Sequence, residues 1–198
     1  MQKALILLTS LSLLSACGGR NEREVVRQDN KAFQSPTSRS CLSTLQHNAV
    51  QFAALPNQVF GGGCQTIDTI KLLDFGTPTT NLGAMTCPLA ASFSAWAKNA
   101  VVPAARAYFK SEVVKIETMG TYSCRNINGA SSGKLSEHAF GNAVDVSGFV
   151  LKDGRRITVL AGWNGKEDER AFLRRLRESA CKRFGTVLSP DYNSLHAN

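Results

Sequence analysis

One short stretch of the chain contains residues suited to metal chemistry. His138 and Asp145 stand seven positions apart, with Gly141 and Ala143 between them. A neutral imidazole and a carboxylate are both zinc ligands, and a catalytic zinc site has three protein ligands and an open fourth position. Gly141 permits a tight backbone turn, and Ala143 leaves room for close packing. The spacing therefore predicts that His138 and Asp145 supply two of the three ligands.

The pattern is longer than this pair, and it offers a further carboxylate. It runs Ser-x-His-x-x-Gly-x-Ala-x-Asp from Ser136, whereas a single His and a single Asp at this separation also occur by chance in loops. Glu137 could act as a base or orient a metal ligand. Because adjacent side chains in an extended segment point in opposite directions, we expect Glu137 to face solvent instead.

The elements that must position these residues can be predicted from periodicity. Asp145 should begin a strand, and His138 should lie in the loop before it. Asp153-Gly154 lies between apolar runs in 149–159 and predicts a hairpin turn. The other predicted elements are helices over 43–55, 88–109 (kinked or ended at Pro103) and 167–184, and strands over 65–75 and 111–123. Helices beside a small antiparallel sheet make an α+β fold.

The N-terminus indicates export. Residues 1–16 read as a signal peptide, because the apolar run over 4–14 is too short to span a bilayer. Leu14-Ser15-Ala16-Cys17 resembles a bacterial lipobox, so we expect Cys17 to be acylated, with an unlipidated signal peptide as the alternative. Gly18 after the cysteine favours the periplasm-facing side of the outer membrane. Residues 17–40 are expected to be a polar tether, and 41–198 a single domain.

The cysteines predict a disulfide-stabilised domain. Five of the six lie beyond Cys17: Cys41, Cys64, Cys87, Cys124 and Cys181. In an exported domain they are disulfide candidates, and their spacing fits no Cys-x-x-Cys site. Since the number is odd, one thiol must be free, pair between chains or have lost its partner. Sequence does not determine connectivity, and our working guesses are Cys41 with Cys64 and Cys124 with Cys181.

The chain is basic, with a formal net charge of +8. A basic exported protein is attracted to anionic envelope components such as wall-attached anionic groups and lipopolysaccharide. Export and the lack of any recognised motif argue against nucleic acid as a partner. Several Arg and Lys residues crowd 170–183, and we interpret them as the solvated face of an amphipathic helix.

Beyond the histidine pattern, several segments carry a family resemblance. They are Trp96, Thr121-Tyr122-Ser123-Cys124-Arg125, Asp153-Gly154, Phe172-Leu173, Ala180-Cys181, Phe184 and 186–193. From about Cys41 onward the chain resembles the bacterial extensin-like C-terminal domain family. Its histidine pattern resembles the first metal motif of the D-Ala-D-Ala carboxypeptidase, lysostaphin and hedgehog-like metallopeptidase group. That resemblance implies a hedgehog-like or D-Ala-D-Ala-peptidase-like fold, bound zinc and cleavage of peptidoglycan peptides.

The resemblance also assigns roles to single residues. Arg125 matches an arginine that binds a substrate carbonyl or carboxylate and stabilises a developing oxyanion. The alternative is a surface arginine beside a disulfide. The third ligand in the resembled enzymes comes from a downstream His-x-His or Glu-x-x-His, and this sequence contains neither. His196 matches the histidine that precedes that motif, so it is not the matching ligand, although a flexible terminus could let it take the place of the third ligand. We expect His47 to be structural.

Two functions are compatible with these features. The first is a cell-envelope zinc amidase or carboxypeptidase that acts on peptidoglycan peptides. The alternative is a non-catalytic wall-binding lipoprotein with a degenerate metal site, since two ligands bind zinc weakly. A purely structural zinc is less favoured because it needs four ligands. Extensin-like domains often carry a last cysteine beyond the His-x-His, so we expect either that this chain is truncated relative to an active ancestor or that residue 198 is not its true end. The sequence does not indicate the oligomeric state.

Overall fold

The structure is a computed structural model that describes the backbone of residues 25–29 and residues 32–192. The predicted signal peptide, the lipidation site at Cys17 and His196 lie outside the described residues. Among the helices of the described part, none combines the length and apolar character needed to cross a bilayer.

The described chain alternates short helices and strands. The helices are α1 (Pro36–His47), α2 (Cys87–Trp96), α3 (Val102–Phe109), α4 (Val159–Gly162) and α5 (Glu167–Cys181). The strands are β1 (Val25–Asp29), β2 (Gln51–Ala54), β3 (Asn57–Phe60), β4 (Gln65–Thr66), β5 (Thr69–Asp74), β6 (Met85–Thr86), β7 (Val113–Gly120), β8 (Asp145–Leu151) and β9 (Arg156–Thr158). They form three antiparallel sheets in the orders β1-β3-β4, β2-β5-β6 and β7-β8-β9. The α+β prediction is confirmed, with three small sheets in the described part where one was expected.

The β7-β8-β9 sheet positions the candidate metal ligands. β8 and β9 form the predicted hairpin, and Gly154 takes the positive φ of 89° that the turn requires. Arg155 donates side-chain and backbone hydrogen bonds to Asp153, and these hold the pKa of that carboxyl well below its usual value. The other edge of β8 pairs with β7, where Gly120 lies opposite Asp145. The hairpin therefore fixes the strand on which Asp145 sits.

Aromatic side chains join this sheet to the helices. Phe172 of α5 is completely buried, and its ring lies 5.0 Å from that of Phe109 and 5.3 Å from that of Phe149. Trp96 of α2 lies against Phe149, and its indole N–H donates to the carbonyl of Leu176 at 3.2 Å. These edge-to-face and tilted contacts add to the hydrophobic stabilisation of burial. The helix predicted over 167–184 is confirmed as α5, which ends at Cys181 and buries Phe172, Leu176 and Ala180 at four-residue steps.

The long helix predicted over 88–109 is interrupted, as expected from Pro103. A π-helical turn, Ala97–Val101, separates α2 from α3, and the amide of Val102 donates to the carbonyl of Ala97. In a regular helix the ring of Pro103 would clash with the carbonyl of Asn99, four residues earlier. The wider turn relieves that clash and lets the chain continue as α3.

The folded region begins before the predicted boundary at Cys41. β1 pairs with β3, Phe33 is buried in the core, and α1 begins at Pro36. These parts of 17–40 are therefore structured, whereas the sequence indicated an irregular tether throughout. The helix predicted over 43–55 ends at His47, and β2 follows it and pairs with β5.

Two disulfides stabilise the domain. Cys41 pairs with Cys87 and joins α1 to α2, while Cys64 pairs with Cys124. Both guessed pairings, Cys41 with Cys64 and Cys124 with Cys181, are therefore wrong. Connectivity depends on which elements the fold brings within bonding distance, and the sequence alone does not determine it. Cys181, at the end of α5, is an exposed free thiol.

Candidate metal centre

A short, capped turn presents His138. The 3-10 turn Glu137–Phe140 begins after Ser136, whose hydroxyl accepts a hydrogen bond from the amide of His138 at 3.4 Å. It ends at Gly141, which has a φ of 63° and lies close to the backbone of Ala84. Ser136 and Gly141 of the sequence pattern therefore begin and end the turn that carries the histidine.

The imidazole of His138 is held by a backbone carbonyl. Its Nδ1 lies 3.1 Å from the carbonyl oxygen of Thr121, and the residue is only 8% exposed. Because a carbonyl can only accept a hydrogen bond, Nδ1 must carry the proton. This arrangement is typical of metal-binding histidines, whose second nitrogen fixes the tautomer and the ring orientation. It leaves Nε2 as the nitrogen that can bind a metal.

Asp145 meets that nitrogen from the first position of β8. Its Oδ2 lies 3.2 Å from Nε2 of His138, and its side chain is 43% exposed. Two ligands of a tetrahedral zinc ion, each about 2.0–2.2 Å from the metal, lie about 3.4 Å apart. The observed separation and the N and O donor types therefore fit two neighbouring zinc ligands on the solvent-facing side of the fold.

Arg125 approaches the same carboxylate. One guanidinium nitrogen, Nη2, lies 3.9 Å from Oδ2 of Asp145, and the side chain is 37% exposed. The carbonyl of Arg125 accepts from the amide of Ser136 at 3.0 Å, and the amide of Ser123 donates to the carbonyl of His138 at 3.0 Å. The segment that carries Arg125 is thus hydrogen-bonded to the histidine turn and to the residue before it, and the structure brings Arg125, His138 and Asp145 together.

The third ligand is not found in the described part of the chain. Within it, no three His, Cys, Asp or Glu side chains are grouped so that they could hold a metal ion. His47 ends α1 and is exposed. The described donors thus fit part of a zinc site.

Polar contacts around the turn were not predicted from the sequence. The side-chain amide of Asn142 donates to the carboxylate of Glu137 at 2.9 Å, and the hydroxyl of Thr86 donates to the side-chain oxygen of Asn142 at 2.9 Å. The amide of Thr86 also donates to the carbonyl of Gly141 at 2.8 Å. Glu137 is exposed, as expected, and its carboxylate holds the loop that leads to Asp145. No local pattern could reveal Thr86, which is 56 residues from its partner in the chain.

The glycine- and serine-rich segment 128–133 is exposed and forms a rim shortly after Arg125 in the chain. Its base is closed by a bridge between Asn126 and Leu135, and the amide of Ile127 donates to the carbonyl of Lys134 at 3.0 Å. The rim therefore begins and ends beside the candidate site.

Replacing Gly141 with alanine should destabilise the histidine turn. The left-handed conformation costs a non-glycine residue about 1–2 kcal/mol, and the new methyl group would lie 3.1 Å from the carbonyl oxygen of Ala84. We expect the free energy of unfolding to fall by at least that amount in urea titrations. Gly185→Ala is the control, because this glycine has no positive φ and open space around it. Equal stability of the two variants would contradict the role given to Gly141.

Comparisons with known proteins agree with the sequence resemblance in part. A family model described as extensin-like protein C-terminus matches residues 39–198, which is most of the chain. No curated protein and no solved structure gives a significant match.

Proposed function

The chain belongs to the extensin-like C-terminus family, and from that premise we propose that it is a zinc-dependent amidase or carboxypeptidase acting on peptidoglycan peptides in the cell envelope. The observation that best supports a metal site is the pair formed by His138 and Asp145. Nε2 and Oδ2 lie 3.2 Å apart, and the carbonyl of Thr121 fixes the imidazole with Nε2 toward the carboxylate. This orientation suits a shared metal ion, because a metal-binding histidine commonly donates its other ring N–H to a carbonyl in the same way.

In this proposal, His138 and Asp145 hold the metal and Arg125 binds substrate. Bound zinc supplies Lewis-acid polarisation and an activated water. Arg125 presents a planar guanidinium beside the site, and five N–H donors allow it to bind a carboxylate or a carbonyl oxygen. The guanidinium pairs with the Asp145 carboxylate at 3.9 Å, and its 37% exposure leaves it accessible to a peptide beside that carboxylate.

The proposal includes location and fold. The apolar run over 4–14 and Cys17 support an exported lipoprotein anchored by its acyl chains, with the domain in the periplasm. A hedgehog-like or D-Ala-D-Ala-peptidase-like arrangement is supported by the histidine pattern and by the position of Asp145 at the start of a central strand.

A second candidate is a wall-binding protein that keeps the fold without the chemistry. The observation that favours it is the incomplete donor set, because two ligands from residues 32–192 do not make a catalytic zinc site. In this case the positive charge of the chain and the surface around Arg125 would hold anionic wall components without cleaving them.

Zinc content and wall digestion distinguish the candidates. The full-length protein is dialysed against zinc, its metal content is measured by mass spectrometry, and it is incubated with purified peptidoglycan. We expect one zinc per chain and release of peptide products. His138→Ala should reduce zinc affinity by more than about 100-fold, because loss of a partner outside the coordination sphere already costs 10–100-fold.

His47→Ala is the matched control, since this histidine is exposed at the end of α1. It should keep both zinc and cleavage. Binding to peptidoglycan that persists in His138→Ala, together with no cleavage by the unmodified protein, would favour the second candidate. Unchanged metal content in both His138→Ala and Asp145→Ala would reject the site.

A further inference from the structure

A groove lies between the interrupted helix and α5, and none of its lining residues belongs to the candidate metal centre. It has a volume of about 410 Å³, and its polar lining residues are Asn99, Tyr108, Arg175, Ser179, Lys182 and Arg183. Small-ligand sites typically occupy about 300–1,000 Å³. The π-helical turn and α3 form one wall, and the second half of α5 with the two residues after it forms the other. We call this feature the basic groove.

All the charged side chains that line the basic groove are positive. Arg175, Lys182 and Arg183 contribute three positive charges, and no carboxylate is among the lining residues. The carboxylate of Glu178 lies 3.7 Å from Arg175, but both side chains are more than half exposed. Such an exposed pair contributes little and is easily exchanged for a ligand.

Hydrogen bonds to Ser179 hold the guanidinium of Arg183 in place before any ligand binds. Its Nη1 donates to the carbonyl of Ser179 at 3.0 Å and to the hydroxyl of Ser179 at 2.6 Å. Ser179 is buried, so the contact anchors the guanidinium to the helix. A guanidinium has five N–H donors, so those on Nε and Nη2 can bind a ligand. An arginine held in this way loses little conformational entropy on binding.

The sequence-based interpretation of 170–183 as a solvated helix face therefore covers only some of its residues. Arg170 and Arg177 do not line the groove and are exposed, whereas Arg175, Lys182 and Arg183 surround one concave surface. Two planar guanidinium groups and an ammonium group match a doubly charged phosphate, which arginine binds in a bidentate manner. Tyr108 and Asn99 add neutral hydrogen-bond donors.

We propose that the basic groove binds a phosphomonoester or diphosphate group. The inference is independent of the zinc site. The phosphate can belong to a soluble molecule or to a lipid headgroup, and the two sources share the same chemistry.

Calorimetric titration of the full-length protein in neutral detergent micelles tests this proposal. One arm uses inorganic pyrophosphate, and the other uses micelles that contain phosphatidic acid, both at the same ionic strength. We expect saturable binding in at least one arm. Arg175→Gln combined with Lys182→Gln should lower the association constant at least about tenfold, because two charge-assisted contacts are lost.

The matched control is Arg170→Gln combined with Arg177→Gln, which removes the same charge from the same helix outside the groove. Its association constant should change less than about twofold, as expected for screened surface charges. Binding of pyrophosphate supports a soluble ligand, and binding only of phosphatidic acid supports a lipid headgroup. Equal losses in the two double variants, or no binding in either arm, would overturn the proposal.

Discussion

Replacing Phe172 with alanine should lower the free energy of unfolding by about 3–5 kcal/mol. The side chain is completely buried, and its ring contacts Phe109, Phe149 and Tyr108. Removing it leaves a cavity where α3, α5 and the β7-β8-β9 sheet meet, and three aromatic contacts are lost with it. Urea unfolding followed by circular dichroism measures the change.

The control for this variant is Leu160→Ala, because Leu160 is 63% exposed in the short helix α4. Its effect should stay within about 0.5 kcal/mol, as for most surface substitutions. A loss below about 1 kcal/mol in the Phe172 variant would mean that the aromatic cluster is not the centre of the core.

Removing the Cys64–Cys124 disulfide by a double substitution to alanine should cost about 4 kcal/mol. The bond closes a loop between residues separated by 60 positions, so it greatly reduces the entropy of the unfolded chain. It also joins the end of the Gly61–Gly63 turn to the residue beside Arg125. We therefore expect lower zinc affinity or peptide affinity in addition to lower stability.

Cys181→Ala provides the comparison, since it removes an exposed thiol without breaking a disulfide. Its unfolding free energy should match that of the unmodified protein within about 0.5 kcal/mol. If the double variant unfolds at the same urea concentration as Cys181→Ala, the disulfide contributes nothing to the stability of the domain.

Local signals predicted the parts of the fold that depend on neighbouring residues. The Asp153-Gly154 turn, the repeat in α5 and the disruption by Pro103 all act within a few positions, and the structure contains each of them. A start signal for α1 was also present, because Ser35 caps the helix and Pro36 follows it. The apolar pattern begins later in the helix, so periodicity alone predicts a start at residue 43.

Features that depend on tertiary packing could not be predicted in this way. α1 ends where Ala49 adopts a positive φ of 57°, although glycine or asparagine is usual at such a position. β2 then forms because β5 is available to pair with it. Phe33 is a single buried aromatic residue with no periodic neighbours to mark it. The disulfide pairs likewise follow from packing.

The candidate site likewise contains features that the sequence predicts and one that it does not. The histidine pattern predicted that His138 and Asp145 would meet, and the two side chains do lie together. The family resemblance predicted that Arg125 belongs to the same site, and its guanidinium lies beside Asp145. The carbonyl of Thr121, which orients the imidazole, is a backbone group that every residue type possesses. Sequence patterns in side chains therefore cannot reveal it.

The loop between His138 and Asp145 is tied to two separate parts of the molecule. Ser123 holds the carbonyl of His138, and Thr86, next to the Cys41–Cys87 disulfide, holds the carbonyl of Gly141. Opening the loop would break contacts with both, so its amides should exchange hydrogen slowly and together with the core. A ligand that binds there would meet donors already in position, and its affinity would not be reduced by the entropy of ordering them.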